Sequence, residues 1–309
     1  MRHIALTVVV AVAGIHSSLT ETWAQDGNAG SSLFVMNADG KELLQLPSPG
    51  AYDGQGSPVW SPDGKKIGFD AWRASIGENY RQAHVFTAKA DGSNPQDLGD
   101  GAMPSFSRDG SRITFSRYRP NRGVWTMNAD GSDKTLLDAN GWAARWSSDG
   151  RHIAYTTYRD GVNIVIYDVR EKQRRRILNA THSERYRIIY WSFCWSPDNK
   201  QVCFKALRRS EDSYEVAIAN VAGSDKGFQI LIEGQTDNKF SWHPDGKKIL
   251  LSKVDPTKKF RQLFSIQIDK PDSLRVVDGQ PLDRVNAGPD WSPDGKKIIF
   301  ASREIVKKR

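Results

Sequence analysis

Trp60-Ser-Pro-Asp-Gly-Lys-Lys-Ile67 is the stretch from which the fold can be read. It returns five more times: Phe106-Ser-Arg-Asp-Gly-Ser-Arg-Ile113, Trp146-Ser-Ser-Asp-Gly-Arg-His-Ile153, Trp195-Ser-Pro-Asp-Asn-Lys-Gln-Val202, Trp242-His-Pro-Asp-Gly-Lys-Lys-Ile249 and Trp291-Ser-Pro-Asp-Gly-Lys-Lys-Ile298. The aromatic anchors are 46, 40, 49, 47 and 49 residues apart. A period of that size marks a repeat architecture. Asp-Gly between two apolar, β-prone runs is a hairpin signal, because glycine tolerates the positive φ of a tight turn. In the simplest register Trp60 faces Ile67, Pro58 faces Phe69, and in the last copy Trp291 faces Ile298 and Pro289 faces Phe300.

A third strand, a polar turn and a fourth strand follow each hairpin, most plainly from Gly123 to Asp138. Four antiparallel strands per unit, repeated, predict the blades of a β-propeller. The first such strand pair, Ser32 to Leu46, has no hairpin before it, and the last hairpin, Trp291 to Ser302, has no strand pair after it. The two halves complete each other. The sequence therefore predicts an all-β, six-bladed propeller over residues 32–302, its last blade closed by strands from both termini.

Outside the ring, residues 1–24 read as a secretory signal. Arg2 and His3 precede an apolar run from Ile4 to Ile15 that is too short to span a membrane, and small residues stand at Thr22-Trp-Ala24. Residues 25–31 read as a flexible lead and 303–309 as a basic tail. The expected location is periplasmic or secreted, as a monomer without a membrane span once the signal is removed. A formal net charge of +8 and a pI near 9.4 favour acidic partners, and export excludes nucleic acid as the natural one.

The motif W-S-P-D-G-K-K-I-x-F, followed by a strand ending in M-N-A-D-G, resembles the propeller repeat of the TolB family. Asn37 to Gly40 and Asn128 to Gly131 carry the second half of it. The resemblance spans residues 31 to 302 and implies the fold. It implies little about activity, because this repeat occurs in many periplasmic and secreted proteins. Proteins that resemble TolB in full carry an α/β domain ahead of the propeller, for which residues 25–31 leave no room.

Candidate function lies where the copies differ. The six turn aspartates are Asp63, Asp109, Asp149, Asp198, Asp245 and Asp294, and their expected role is to cap their own turns. Thirteen residues beyond each anchor stand Arg73, Arg119, Arg159 and Arg208 in four adjacent blades, three of them after an aromatic. With Arg117 and Arg209 they predict a basic loop face suited to an envelope protein or an anionic glycan. Arg145 and Asp290, each just before an anchor, and Lys239 are predicted near the central channel, as ligand contacts or as a structural set. Cys194 and Cys203, the two cysteines, fall opposite one another in the hairpin register, and a disulfide is permitted in an exported protein.

No motif supports catalysis. His84, His152, His182 and His243 occupy unrelated repeat positions, and Gly-x-Ser-x-Gly is absent. No cofactor is expected, and nothing in the residue pattern supports a channel cation. The leading expectation is a non-catalytic binding scaffold. The alternatives are an enzyme acting on an acidic carbohydrate, or a structural part of a Tol-like envelope or transport assembly.

Overall fold

The computed structural model describes residues 30–159, 161–211, 213–224, 226–234, 236 and 239–305. The segment read as a signal and the last four residues of the basic tail lie outside the described residues. Among those described, six four-stranded antiparallel sheets follow one another around a ring. Blade 1 holds Gly54–Trp60, Lys66–Trp72, His84–Lys89 and Gln96–Asp100, from the axis outward. Blade 2 holds Ala102–Phe106, Arg112–Arg117, Gly123–Asn128 and Thr135–Asp138. Blade 3 holds Gly141–Trp146, His152–Thr157, Asn163–Asp168 and Gln173–Arg176. Blade 4 holds Tyr186–Trp195, Gln201–Arg208, Tyr214–Asn220 and Gln229–Glu233. Blade 5 holds Phe240–Trp242, Lys248–Val254, Arg261–Gln267 and Lys270–Val276. Blade 6 takes Arg284–Trp291 and Lys297–Glu304 from one end of the chain, and Ser32–Asn37 and Leu44–Gln45 from the other.

The composite blade is thus present: Ser32 to Asn37 pairs with Ser302 to Lys297 without a break. An isolated bridge from Ser31 to Gly54 ties this closing strand to blade 1.

Every anchor pairs as the hairpin register requires: Trp60 with Ile67, Phe106 with Ile113, Trp146 with Ile153, Trp195 with Val202, Trp242 with Ile249 and Trp291 with Ile298. The turn aspartates cap their hairpins. In five copies the carboxylate accepts a serine hydroxyl at 2.6 Å, as Asp63 does from Ser61, and in the fifth blade Asp245 lies 2.8 Å from His243 Nδ1.

The register beyond the anchors needs a correction. Gly56 pairs with Asp70 and Val59 with Gly68, so Ser57 and Pro58 together oppose Phe69. Gly288 and Pro289 oppose Phe300 in the same way. Blades 2 and 3 repeat this bulge at Met103 and Ala143, and the first bulged residue is left-handed in all four blades (φ 45° at Ser57, 58° at Met103, 55° at Ala143, 62° at Gly288). A bulge raises local twist and bends its strand, which lets the innermost strand curve past the axis.

The anchor rings wedge between blades. Trp60 shares an apolar cluster with Leu33, Val35 and Ile299 of blade 6, Trp195 with Ile164 and Ile166 of blade 3, Trp242 with Val216 and Ile218 of blade 4, and Trp291 with Leu250 and Leu263 of blade 5. Both faces of each blade are therefore buried, which explains why the middle strands read as apolar runs rather than alternating ones. The link before blade 4 contains a short helix, Ala180–Arg185, whose first turn is capped by Asn179. No helix among the described residues is long and apolar enough to cross a membrane.

Candidate functional site: a basic loop face and a charged funnel

Successive antiparallel connections alternate between the two ends of a blade. The Ser-x-Asp turns therefore open on one face of the disc, and the loops after the second strands on the other.

On the loop face the arginines divide into two groups. Arg73 is tied to Glu78, its Nε donating at 3.1 Å and Nη2 forming an ion pair. Arg208 pairs with Glu211 at 2.9 Å and lies 3.4 Å from Glu215. Arg209 donates to the carbonyls of Glu184 and Tyr186 at 3.0 and 3.1 Å. Arg117 lies over the Trp125 ring at 4.8 Å. Arg119 and Arg159 are exposed, on the loops after the second strands of blades 2 and 3.

Beside the exposed arginines is an aromatic cluster that no sequence motif announced. Tyr80 meets Tyr118 edge-on at 5.7 Å, Tyr118 meets Trp142 at 4.4 Å, and the exposed Arg122 lies over Trp142 at 5.2 Å. Tyr158, 43% exposed, donates its hydroxyl to the Ile189 carbonyl at 2.7 Å. Burial pushes the hydroxyls of Tyr118 and Tyr158 up, so both stay neutral donors at neutral pH. The only hint in the sequence is the aromatic-Arg pairs Tyr118-Arg119 and Tyr158-Arg159. Tyr80 and Trp142 come from unrelated repeat positions.

On the turn face the channel widens into a funnel of about 730 Å³. Pro62, Arg108, Ser148, Pro197, Pro244 and Pro293 from the six turns form its rim, and the anchor positions form its wall. Val59, Ser105, Arg145, Cys194, Ser241 and Asp290, one from each blade, line the ring below. Where that position is Ser or Asp it latches onto the next blade. Ser105 Oγ accepts the Trp146 N–H at 3.1 Å, Ser241 Oγ accepts the Trp291 N–H at 3.0 Å, and Asp290 accepts the Trp60 N–H at 3.0 Å.

Asp290 also accepts the Ser241 hydroxyl at 2.7 Å. Burial pushes its carboxyl up, against Lys239, Ser241, the Trp60 N–H and Arg145, which pull it down. Lys239 reaches from the start of blade 5, past blade 6, to the Pro58 carbonyl of blade 1. Its stem passes Gly288, where a Cβ would lie 3.5 Å from Lys239 Cδ. Asp70, pushed up by burial, is bonded from the Met103 N–H at 2.8 Å. Arg145 comes from blade 3, diametrically opposite Asp290, and donates through Nη1 to the Pro104 carbonyl at 2.7 Å.

Cys194 and Cys203 are direct cross-strand partners and are free thiols. Cys194 lines the funnel, whereas Cys203 is fully buried, and burial together with Cys194 pushes its thiol well up. In folded protein iodoacetamide is expected to label Cys194 and to reach Cys203 only after denaturation. Equal labelling of both thiols before unfolding, read by peptide mass, would contradict this arrangement. Among the described residues no group of three or more His, Cys, Asp or Glu is arranged to hold a metal.

Six blades, a closing strand pair from the first part of the chain and a charged central funnel define a closed β-propeller. The model of the TolB beta propeller domain matches residues 126–308, more than half of the chain, and the chain belongs to that family. The structure of a putative TolB from Agrobacterium tumefaciens superposes with a TM-score of 0.69 at 18% identity, covering 91% of this chain and 100% of that one. TolB from Acinetobacter baumannii gives 0.61 at 17% identity over 89% of this chain, which spans 65% of that protein's length. An oligogalacturonate lyase from Vibrio parahaemolyticus gives 0.50 at 10% identity, covering 89% of this chain and 98% of that one. At these identities the likeness is one of fold. No curated protein matches the chain.

Proposed function

We propose that the protein is an exported binding propeller, without catalysis of its own, that acts in the periplasm or outside the cell. It takes an envelope protein or an anionic polymer on its loop face and at the mouth of its channel. The observation that carries this reading is the patch formed by Arg119 and Arg122 with Tyr118, Trp142 and Tyr158. Among the described residues no carboxylate pairs with Arg119 or Arg122, and Arg122 lies over the Trp142 ring. A guanidinium held on an aromatic face keeps its in-plane donors for an incoming carboxylate, sulfate or phosphate.

The arginines already engaged inside the molecule supply the control. Replacing Arg119 and Arg122 together by Gln should lower the salt concentration at which the protein leaves a sulfated resin, and should weaken capture of its partner from an envelope extract. Arg208→Gln, which removes a charge committed to Glu211 and Glu215, should shift elution much less. Equal shifts for both proteins would mean that net charge alone sets retention, and the patch would lose its claim.

A further inference from the structure

Arg145 is the one charged residue of the funnel ring whose donors the protein leaves largely unused. Asp290 spends its oxygens on the Trp60 N–H and the Ser241 hydroxyl. Asp70 accepts the Met103 N–H, and Lys239 bonds the Pro58 carbonyl. Among the described residues the guanidinium of Arg145 makes one hydrogen bond, Nη1 to Pro104, out of the five N–H donors such a group carries. None of its nitrogens is sealed off without a partner, so the remaining donors face the funnel. Burial works against its charge, while Asp290, Cys194 and Asp70 support it from a distance. A guanidinium so placed gains from a negative group delivered to it, because the low local dielectric strengthens the contact.

The rest of the funnel selects what can deliver that group. Between the prolines of the rim and the charged level its wall is made chiefly of the anchor rings Trp60, Phe106, Trp146, Trp195, Trp242 and Trp291, with serines of the turns among them. The two acids that act on the guanidinium, Asp290 and Asp70, are bonded to other groups. Asp290 lies across the channel, bonded as above and with Lys239 among its neighbours, and Asp149 at the rim is tied into its own turn by Ser147 and Arg151. Arg108 at the rim adds positive charge on the way in.

We propose that the funnel is a receptor for a carboxylate on a slender apolar stem, with the carboxylate on Arg145 and the stem against the aromatic and proline wall. This deepens the binding reading given above and rests on it for the role of the channel mouth. It is separable from the loop-face patch, which lies on the opposite side of the disc.

Five of the funnel's wall residues are tryptophans (Trp60, Trp146, Trp195, Trp242 and Trp291), so occupancy should change indole fluorescence. Hexanoate and its uncharged counterpart hexanamide are the probes, titrated at constant ionic strength set with chloride. Hexanoate should give a saturable change and hexanamide one at least about tenfold weaker, since the difference is one charge-assisted, bidentate contact. Arg145→Gln should abolish the distinction between the two probes. Arg145→Lys, which keeps the charge but not the fork, should retain part of it, and it serves as the test if the Gln variant does not fold. The Arg119→Gln/Arg122→Gln protein should respond like wild type, so failure of the loop-face reading and failure of this one are told apart. Equal responses to both probes, or full hexanoate affinity in a folded Arg145 variant, would overturn the proposal.

Discussion

Removal of residues 32–46 is expected to unfold the entire ring, not only the blade they complete. The strand from Ser32 to Asn37 satisfies one edge of Lys297–Glu304 over six paired residues. Its side chains serve two cores at once. Leu33 and Val35, with Leu46, pack against Trp60 between blades 6 and 1, and Phe34 and Met36 pack with Trp291 between blades 5 and 6. Five buried apolar side chains at about 1.5–3 kcal/mol each come to about 7–15 kcal/mol. That equals the whole net stability of an ordinary domain, about 5–15 kcal/mol. The truncated protein should show no cooperative thermal transition and should expose the edge of Lys297–Glu304 to aggregation. Phe34→Ala, removing one ring from the same place, should cost about 3–5 kcal/mol and leave a cooperative but earlier transition. A truncated protein that melts cooperatively at the wild-type temperature would mean that the ring does not depend on its closing strand.

The second large effect is expected at Glu215, a residue that no sequence pattern singled out. Its carboxylate is fully buried in blade 4. Arg185 grips it with two donors, Nε at 3.0 Å and Nη2. The Tyr186 hydroxyl donates at 3.0 Å, and Arg208 Nε lies at 3.4 Å as an ion pair. Removing one partner from such a set leaves uncompensated charge out of water, at a cost of about 3–5 kcal/mol. Glu215→Ala should therefore lower the melting temperature by about 10 °C in a ring of this size. Glu215→Gln keeps acceptors for Arg185 and Tyr186 and should fall between Ala and wild type. Arg208→Gln should cost less, because Arg185 and Tyr186 still satisfy the carboxylate. Thermal unfolding followed by circular dichroism ranks the three, and Glu215→Ala melting with wild type would show the cluster to be energetically silent. The same geometry accounts for Arg208: it stands at a repeat position that promised a binding face, and it is held by two acids of its own blade.

What the sequence determined by itself was the part of the fold specified by short-range chemistry repeated in phase. Asp-Gly turns, the serine or histidine two residues before each Asp, and the aromatic anchors with their pairing to Ile or Val are local signals. Six copies at intervals of 40 to 49 residues leave little choice of architecture, and two unpaired half-units at the ends can satisfy their strand edges only by meeting. The bulge was not legible. Nothing in Ser57-Pro58 says that two residues will oppose Phe69; that follows from bending the inner strand around an axis that exists only once six blades have closed. Nor was the sorting of the arginines legible. Arg73, Arg119, Arg159 and Arg208 share one repeat position, yet Glu78 and Glu215 claim two of them and leave Arg119 exposed, because each partner comes from a loop or strand that does not repeat. The funnel shows the same division. The residues before the anchors could be listed from the sequence, but only closure of the ring sets Arg145 across from Asp290, carries Lys239 past blade 6 to Pro58, and opens the wide mouth on the face opposite the arginine loops. Local backbone preference acts over a few residues and can be read one copy at a time. The charges and cavities at the axis are set by groups far apart in the chain, and distances between those are fixed only by the folded ring.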